Sequence, residues 1–220
     1  MAENKAGIVP TCVTLAIEYI RKHGLKSEGI FMVESVEKPK SIKAVLHDLN
    51  KGSTAKLDKL ASPYLAADVI KLYFKELRNP LLATEHHLFG CWMAAQGTVP
   101  IDNRTEILKK VLTLLPEDNR ATFKALSSLL HEIDKKAKYN QMNARSLAEA
   151  FAPLLLGDPE TITESESLGS EKSGKPSLTE NEIEKYMLKE EDILHTLIKY
   201  HPLFWDEKHA QENEEKGEET

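Results

Sequence analysis

Apolar residues recur along nearly the whole chain at three- and four-residue intervals, and no stretch alternates convincingly with period two. That rhythm gathers apolar side chains on one face of an α-helix, whereas a half-buried strand needs strict alternation. Val13, Ile17 and Ile20 share such a face, with Pro10 ahead and Gly24 behind. Ile42, Val45, Leu46 and Leu49 repeat it before Gly52. Leu65, Val69, Leu72 and Tyr73 follow Pro63, in a helix that should stop before Pro80. Thr84 can cap a helix bearing Leu88, Phe89, Trp92 and Met93, and Asp102 one bearing Ile107, Leu108, Val111, Leu112 and Leu115. Phe123, Leu126, Leu129, Leu130 and Ile133 lie on the longest candidate, opened by Pro116. A shorter helix runs from about Asn143 to Phe151 and is ended by Pro153. Thr179 and Glu182 have capping-box spacing ahead of Ile183, Tyr186, Met187, Leu194, Leu197 and Ile198. The pattern predicts an all-α chain with about nine helices in a single bundle-like domain, a size 220 residues can fill.

Charge breaks the chain where periodicity does. Residues 1–157 carry 22 Lys and Arg against 17 Asp and Glu, a net +5. Residues 158–182 carry 2 against 7, and residues 206–220 again 2 against 7, so each is −5. The first of these is an acidic insertion between the last two helices, read as a surface loop; the second is an acidic tail. Positive and negative side chains are interspersed in the body and no basic run occurs, which argues against nucleic acid as a partner. No run approaches the ~18 apolar residues of a membrane span. The polar Met1–Gly7 lacks a signal-peptide core, and Cys12 and Cys91 cannot build a disulfide framework, so a cytoplasmic location is expected.

Self-sufficient chemistry is hard to find. Gly169 to Lys175 nearly spells a phosphate-binding loop, but Pro176 stands where Mg²⁺ needs a hydroxyl, and no buried strand precedes it. His87 and Cys91, at i and i+4, have no second pair of metal ligands at usable spacing. Glu164, Glu166 and Glu171 read as a solvated acidic run; Ser165, Ser167 and Ser170 within it are compositional candidates for phosphorylation. No cofactor or metal is expected.

Three segments nevertheless share an order and spacing. The first is Val9-Pro10 through Ile17-Glu18-Tyr19-Ile20, continuing as Gly24-Leu25-Lys26-Ser27-Glu28-Gly29-Ile30-Phe31. The second is Ile70-Lys71-Leu72-Tyr73-Phe74-Lys75-Glu76-Leu77-Arg78-Asn79-Pro80-Leu81-Leu82. The third is Asn140-Gln141-Met142-Asn143-Ala144-Arg145-Ser146-Leu147-Ala148-Glu149-Ala150-Phe151-Ala152-Pro153. Together they resemble the RhoGAP domain, the module that accelerates GTP hydrolysis by Rho-family GTPases. Leu194 to Trp205 is similar to the family's closing helix, so the likeness spans residues 7–205. It implies an all-helical fold and a GTP-bound Rho-family GTPase as partner.

The resemblance also implies where this chain departs. After G-I-[FY] the family carries the arginine finger that enters the GTPase site; here that position is Met32. The second motif keeps its Lys as Lys71 but has Lys75 for Arg, and the third has Ser146 for Asn. Met32, Lys71, Lys75 and Ser146 are therefore the implied GTPase-binding positions, and Arg78 and Arg145 the candidate substitute arginines. GTP hydrolysis gathers negative charge on the transferred group, and a trans arginine finger is worth about 10³–10⁵ in rate. Met32 has neither charge nor donor. The expectation is a regulator that binds the switch face and is not itself an enzyme, with weak or no stimulation of hydrolysis. An active GTPase activator, working through the GTPase's own Gln or through Arg78 or Arg145, is the first alternative; a scaffold that binds no GTPase is the second.

Overall fold

The computed structural model describes residues 8–50, 62–84, 86–96, 101–157 and 180–205, and among these the chain is helical with no strand. Ten helices are seen: α1 (Thr11–His23), α2 (Pro39–Asn50), α3 (Pro63–Lys75), α4 (His86–Gln96), α5 (Ile101–Leu114), α6 (Glu117–Asp134), α7 (Ala137–Asn140), α8 (Ala144–Leu155), α9 (Glu180–Lys199) and α10 (His201–Trp205). The expected helical domain of about nine helices is thus present, α7 and α10 being little more than single turns.

Local chemistry sets the ends that matter for the site. At α3 the Ser62 hydroxyl accepts from Leu65 N at 3.1 Å, and Pro63 follows with its φ already helical. At α8 the Asn143 side chain accepts from both Arg145 N and Ser146 N. α6 starts after Pro116 with Glu117 and Asp118 in its first turn, where the helix dipole favours carboxylates.

Four points differ from the sequence reading. α4 begins at His86, two residues after the expected cap Thr84. α8 runs through Pro153 to Leu155, because a proline in a last turn forfeits one hydrogen bond and Leu156 N still reaches Ala152 O at 2.9 Å. α5 begins at Ile101, one residue before the expected cap Asp102. α9, with 20 residues, is longer than α6 with 18.

α1 packs antiparallel on α3. Gly24, at the end of α1, meets Pro63 at the start of α3 so closely that a Cβ on Gly24 would sit 2.8 Å from the Pro63 Cβ. α9 packs along α8, where Arg145 pairs with Asp192, and against α4, where Phe89 lies 6.4 Å from Tyr186. The core between these pairs is made by Ile20, Ile30, Phe31, Ile70, Leu82, Trp92, Phe123 and Phe151, all under 2% exposed. Each such side chain contributes roughly 1.5–3 kcal/mol by leaving water. Ile30 and Phe31 belong to the loop after α1, so that loop is welded into the core.

The acidic insertion begins beyond Gly157, and residues 158–179, like the tail 206–220, lie outside the described residues, as do Gly52, Thr179 and the serines and glutamates singled out in the insertion. α9 already starts at Glu180.

Candidate functional site

The loop from Gly24 to Val36 is anchored in the core by Ile30 and Phe31 and turns the residues after them outward. Gly29 has φ +65°, and a Cβ there would come within 2.8 Å of Val33 Cγ2. Phe31 has φ +74°, a left-handed conformation that costs a bulky residue about 1–3 kcal/mol and persists only where its surroundings enforce it. Here they do. The Phe31 ring is buried edge-to-face on Phe151, centroids 4.8 Å apart, and Lys71 Nζ donates to Phe31 O at 3.1 Å. Met32 N and Val33 N both donate to Gly29 O at 2.8 Å, closing a tight turn. The side chain following the strained residue emerges: Met32 is 54% exposed and Val33 52%.

Asn140 fastens this loop from the other side. Its backbone oxygen accepts from Gly29 N at 2.8 Å, and its side-chain amide donates to Leu25 O at 2.8 Å and Ile133 O at 3.0 Å. Its Oδ1 accepts from Met142 N at 2.8 Å, and the residue is wholly buried. Gln141, itself at φ +59°, donates from Nε2 to Glu28 Oε1 at 2.6 Å. One buried amide therefore joins the loop to the turn that leads into α8, which carries Ser146.

Of the positions expected to bind, Lys71 is half-buried and turned inward to the loop, and Lys75 is exposed one turn further along the same face of α3. Ser146 is half-buried in the first turn of α8, its Oγ 3.4 Å from Asn143 Oδ1. Met32 and Lys71 are joined through Phe31, and the start of α8 through Asn140.

The two candidate substitute arginines are placed differently. The Arg145 guanidinium is bound to Asp192 at 2.7 Å. Around that pair, burial and the nearby charge of Glu149 hold the Glu191 carboxyl above the usual range, while burial and Arg145 hold the His195 imidazole below its own. Arg78 lies past the end of α3 and lines an open cleft with Ile8, Asp118, Asn119 and Thr122, at the end of the α1–α3 pair opposite Gly24. His87 and Cys91 lie on α4; among the described residues no group of three or more His, Cys, Asp or Glu could hold a metal.

Sequence reasoning missed Tyr64 and Asp68, which touch the same loop, and passed over Asn140 although it opens the third motif. The signal was available for α3: Tyr64, Asp68, Lys71 and Lys75 stand at i, i+4, i+7 and i+11, a polar stripe along an otherwise apolar helix.

The RhoGAP domain family matches residues 10–160. The chain is 30% identical over 155 residues to Rho GTPase-activating protein gacY of Dictyostelium discoideum, covering 70% of this chain and 21% of that protein. It is 30% identical over 183 residues to Rho GTPase-activating protein 7 of Homo sapiens, covering 79% of this chain and 12% of that protein. It thus spans about a fifth or less of the length of these relatives. In fold it is similar to human Rho GTPase activating protein 15, with TM-score 0.72, 24% identity, and coverage of 90% of this chain and 84% of that one. The BH domain from GRAF, the GTPase regulator associated with focal adhesion kinase, superposes with TM-score 0.68 at 17% identity, covering 88% of this chain and 93% of that one.

The chain belongs to the RhoGAP domain family, a class of proteins that regulate Rho GTPases. This corrects the expectation that it is no enzyme-type protein, since its relatives are named Rho GTPase-activating proteins. The physical reason is that an activator lends groups to a GTPase's own active site, so it needs no complete catalytic constellation of its own. Among the described residues no helix is long and apolar enough to cross a membrane.

Proposed function

We propose that this domain docks, in the cytoplasm, on the switch face of a GTP-bound Rho-family GTPase and stimulates its hydrolysis weakly. Met32 enters where the family's arginine finger enters, and Lys71, Lys75 and Ser146 border the contact. The observation that supports this reading is the exposed Met32 on a strained loop whose backbone is held by hydrogen bonds from Ser27 to Val33. The scaffold that presents a finger is intact while the finger's charge is missing. A thioether in that position can exclude water and press on the switch loops, but it offers no donor to the oxygens that become more negative in the transition state. Lys75 keeps a positive charge near the partner without the planar fork with which Arg grips two acceptors at once.

Single-turnover GTP hydrolysis by a panel of Rho-family GTPases, with the native domain and with Met32→Arg, tests this. Binding to the GTP form, weak stimulation by the native domain and strong stimulation by Met32→Arg are expected. Strong stimulation by the native domain, undiminished in Met32→Ala, would overturn it. Indifference of every GTP-loaded GTPase would overturn the docking itself.

A further inference from the structure

Three side chains on one face of α3 each hold a different point of the loop between α1 and α2. Tyr64 Oη donates to Glu28 O at 2.9 Å, ahead of the tight turn. Lys71 Nζ donates to the carbonyl of the strained Phe31 at 3.1 Å. Asp68 Oδ2 accepts from Ser35 N at 2.8 Å, beyond the turn. Position 32 lies between the second and third of these anchors.

The anchors are not equivalent. On the near side of Met32 the chain is also fixed by the buried Ile30 and Phe31 and by Asn140, so loss of Tyr64 leaves much in place. On the far side Met32, Val33, Glu34 and Val36 are exposed, and Ser35 alone among residues 32–36 is half-buried. Its hydroxyl is buried too. The next backbone hydrogen bond along the chain, Ser41 N to Lys38 O, already belongs to the start of α2. A carboxylate accepting a backbone N–H is among the stronger neutral–ion hydrogen bonds, and this one determines where the exposed segment turns back toward the domain.

We propose that Asp68 is a positioning residue: by holding Ser35 N it fixes the exit of the loop and with it the direction in which the side chain at position 32 enters the GTPase. This rests on the docking reading above. The carboxylate touches no reacting atom. It acts through the backbone of residues 32–35, where a displacement of about 1 Å is enough to cost a catalytic group on the order of a hundredfold.

The test uses Met32→Arg as the reporter of direction, because an arginine at that position works only if it is aimed. Single-turnover rates are measured against domain concentration for Met32→Arg alone and combined with Asp68→Ala or Asp68→Asn, each checked for an unchanged melting curve. Asp68→Ala should lower the maximal rate about tenfold or more while the half-saturating concentration moves less than about threefold. Asp68→Asn retains an acceptor oxygen and should recover most of the rate. Hydrogen exchange gives a readout independent of any GTPase: in the Met32 domain the Ser35 amide should lose protection in Asp68→Ala and keep it in Asp68→Asn. An undiminished maximal rate in Asp68→Ala, or no better rate in Asp68→Asn, overturns the proposal, as does unchanged Ser35 protection. If Met32→Arg binds without stimulating, the account of position 32 fails by itself, and Ser35 protection then decides whether Asp68 holds the loop.

Discussion

The antiparallel α1–α3 pair ends in two polar regions that are built in opposite ways. At the Gly24 end, side chains from α3 and the α7–α8 turn aim at backbone groups of a loop with two left-handed residues. At the other end Asn119 Nδ2 donates to Leu81 O at 2.8 Å, but most polar contacts run between exposed groups: Lys43 with Glu76 at 2.7 Å, Ile8 N with Asp118 Oδ1 at 2.8 Å, Asn79 Nδ2 with Thr84 O at 3.1 Å. Hydrogen bonds to backbone in a buried setting dictate a shape, because leaving them unmade costs the full desolvation of each group. Exposed pairs exchange for water at little cost. One end therefore presents a residue in a defined direction, and the other is ordinary surface.

The sharpest way to exploit that contrast is to place an arginine at position 32, where the proposed docking puts the family's finger. Met32→Arg should raise stimulated hydrolysis on the order of 10²–10³-fold, short of the largest arginine-finger effects because Lys75 and Ser146 remain. Single-turnover rates at saturating domain check it, and the same arginine placed at position 79, on the far side, should do nothing.

Stability tells the ends apart next. Asn140→Ala strips partners from Leu25 O, Ile133 O and Met142 N in the interior, and should cost about 3 kcal/mol. Asn79→Ala removes one exposed hydrogen bond and should cost under about 0.5 kcal/mol. Urea midpoints measure both, and equal losses would erase the distinction. Gly29→Ala should fall between them at about 1–2 kcal/mol, since it meets both a left-handed φ and Val33.

Much of this was legible in the sequence, and for identifiable reasons. Helices announce themselves by periodicity, so α1, α3, α6 and α8 could be placed from Val13, Leu65, Phe123 and Leu147 and their repeats. Pro153 misled because a proline's effect depends on which turn it occupies, and that is a property of the finished helix. Position 32 is singled out by the motif before it, and hydrolysis with Met32→Arg tests that reading. The clamp could not: Asp68 is 33 residues from Ser35, and Asn140 is 115 from Leu25, distances that only folding closes. A buried Asn making backbone bonds looks, in sequence, like any loop Asn.

Acid should loosen the α6–α9 contact. His131 Nδ1 lies 3.0 Å from Ile198 O, which can only accept, so Nδ1 carries the proton and Nε2 is the site left to titrate. Burial, with Lys135 second, pushes the His131 pKa below its ordinary 6.5; Lys199 adds to this and Asp134 opposes it, while His201 stacks on the ring at 5.7 Å. Burial and then Arg145 do the same to His195. At these two histidines the unfolded chain thus binds more protons than the folded one, with Glu191, whose carboxyl burial holds above its usual range, acting in the opposite sense. The stability contributed by the two histidines is present above pH 6.5 and declines as pH falls through that value toward the lower folded pKa values. Urea midpoints between pH 7.5 and 5 should show that slope, and His131→Leu should flatten it.

The smallest expected effect is the one that tests the placement of the arginines. If stimulation by the native domain came from a substitute arginine, Arg78→Ala or Arg145→Ala would abolish it. Arg78 sits at the end of α1–α3 that lacks a clamp, beside Asp118 and Ile8, with the length of α1 between it and Gly24. A helix of 13 residues is about 20 Å long. Arg145 starts nearer to the loop, but its guanidinium is occupied by Asp192 in a pair whose partners are 45% and 36% exposed. Such a pair contributes about 0–1 kcal/mol, so its removal should scarcely alter stability. Both alanine variants should therefore keep the native domain's weak stimulation within about twofold, measured as single-turnover rates on the GTPase that Met32→Arg activates best. A loss confined to Arg145→Ala would mean that the ion pair opens on docking and that the start of α8, not the loop, delivers the charge. A loss in Arg78→Ala would place the contact at the unclamped end and reverse the contrast between the two.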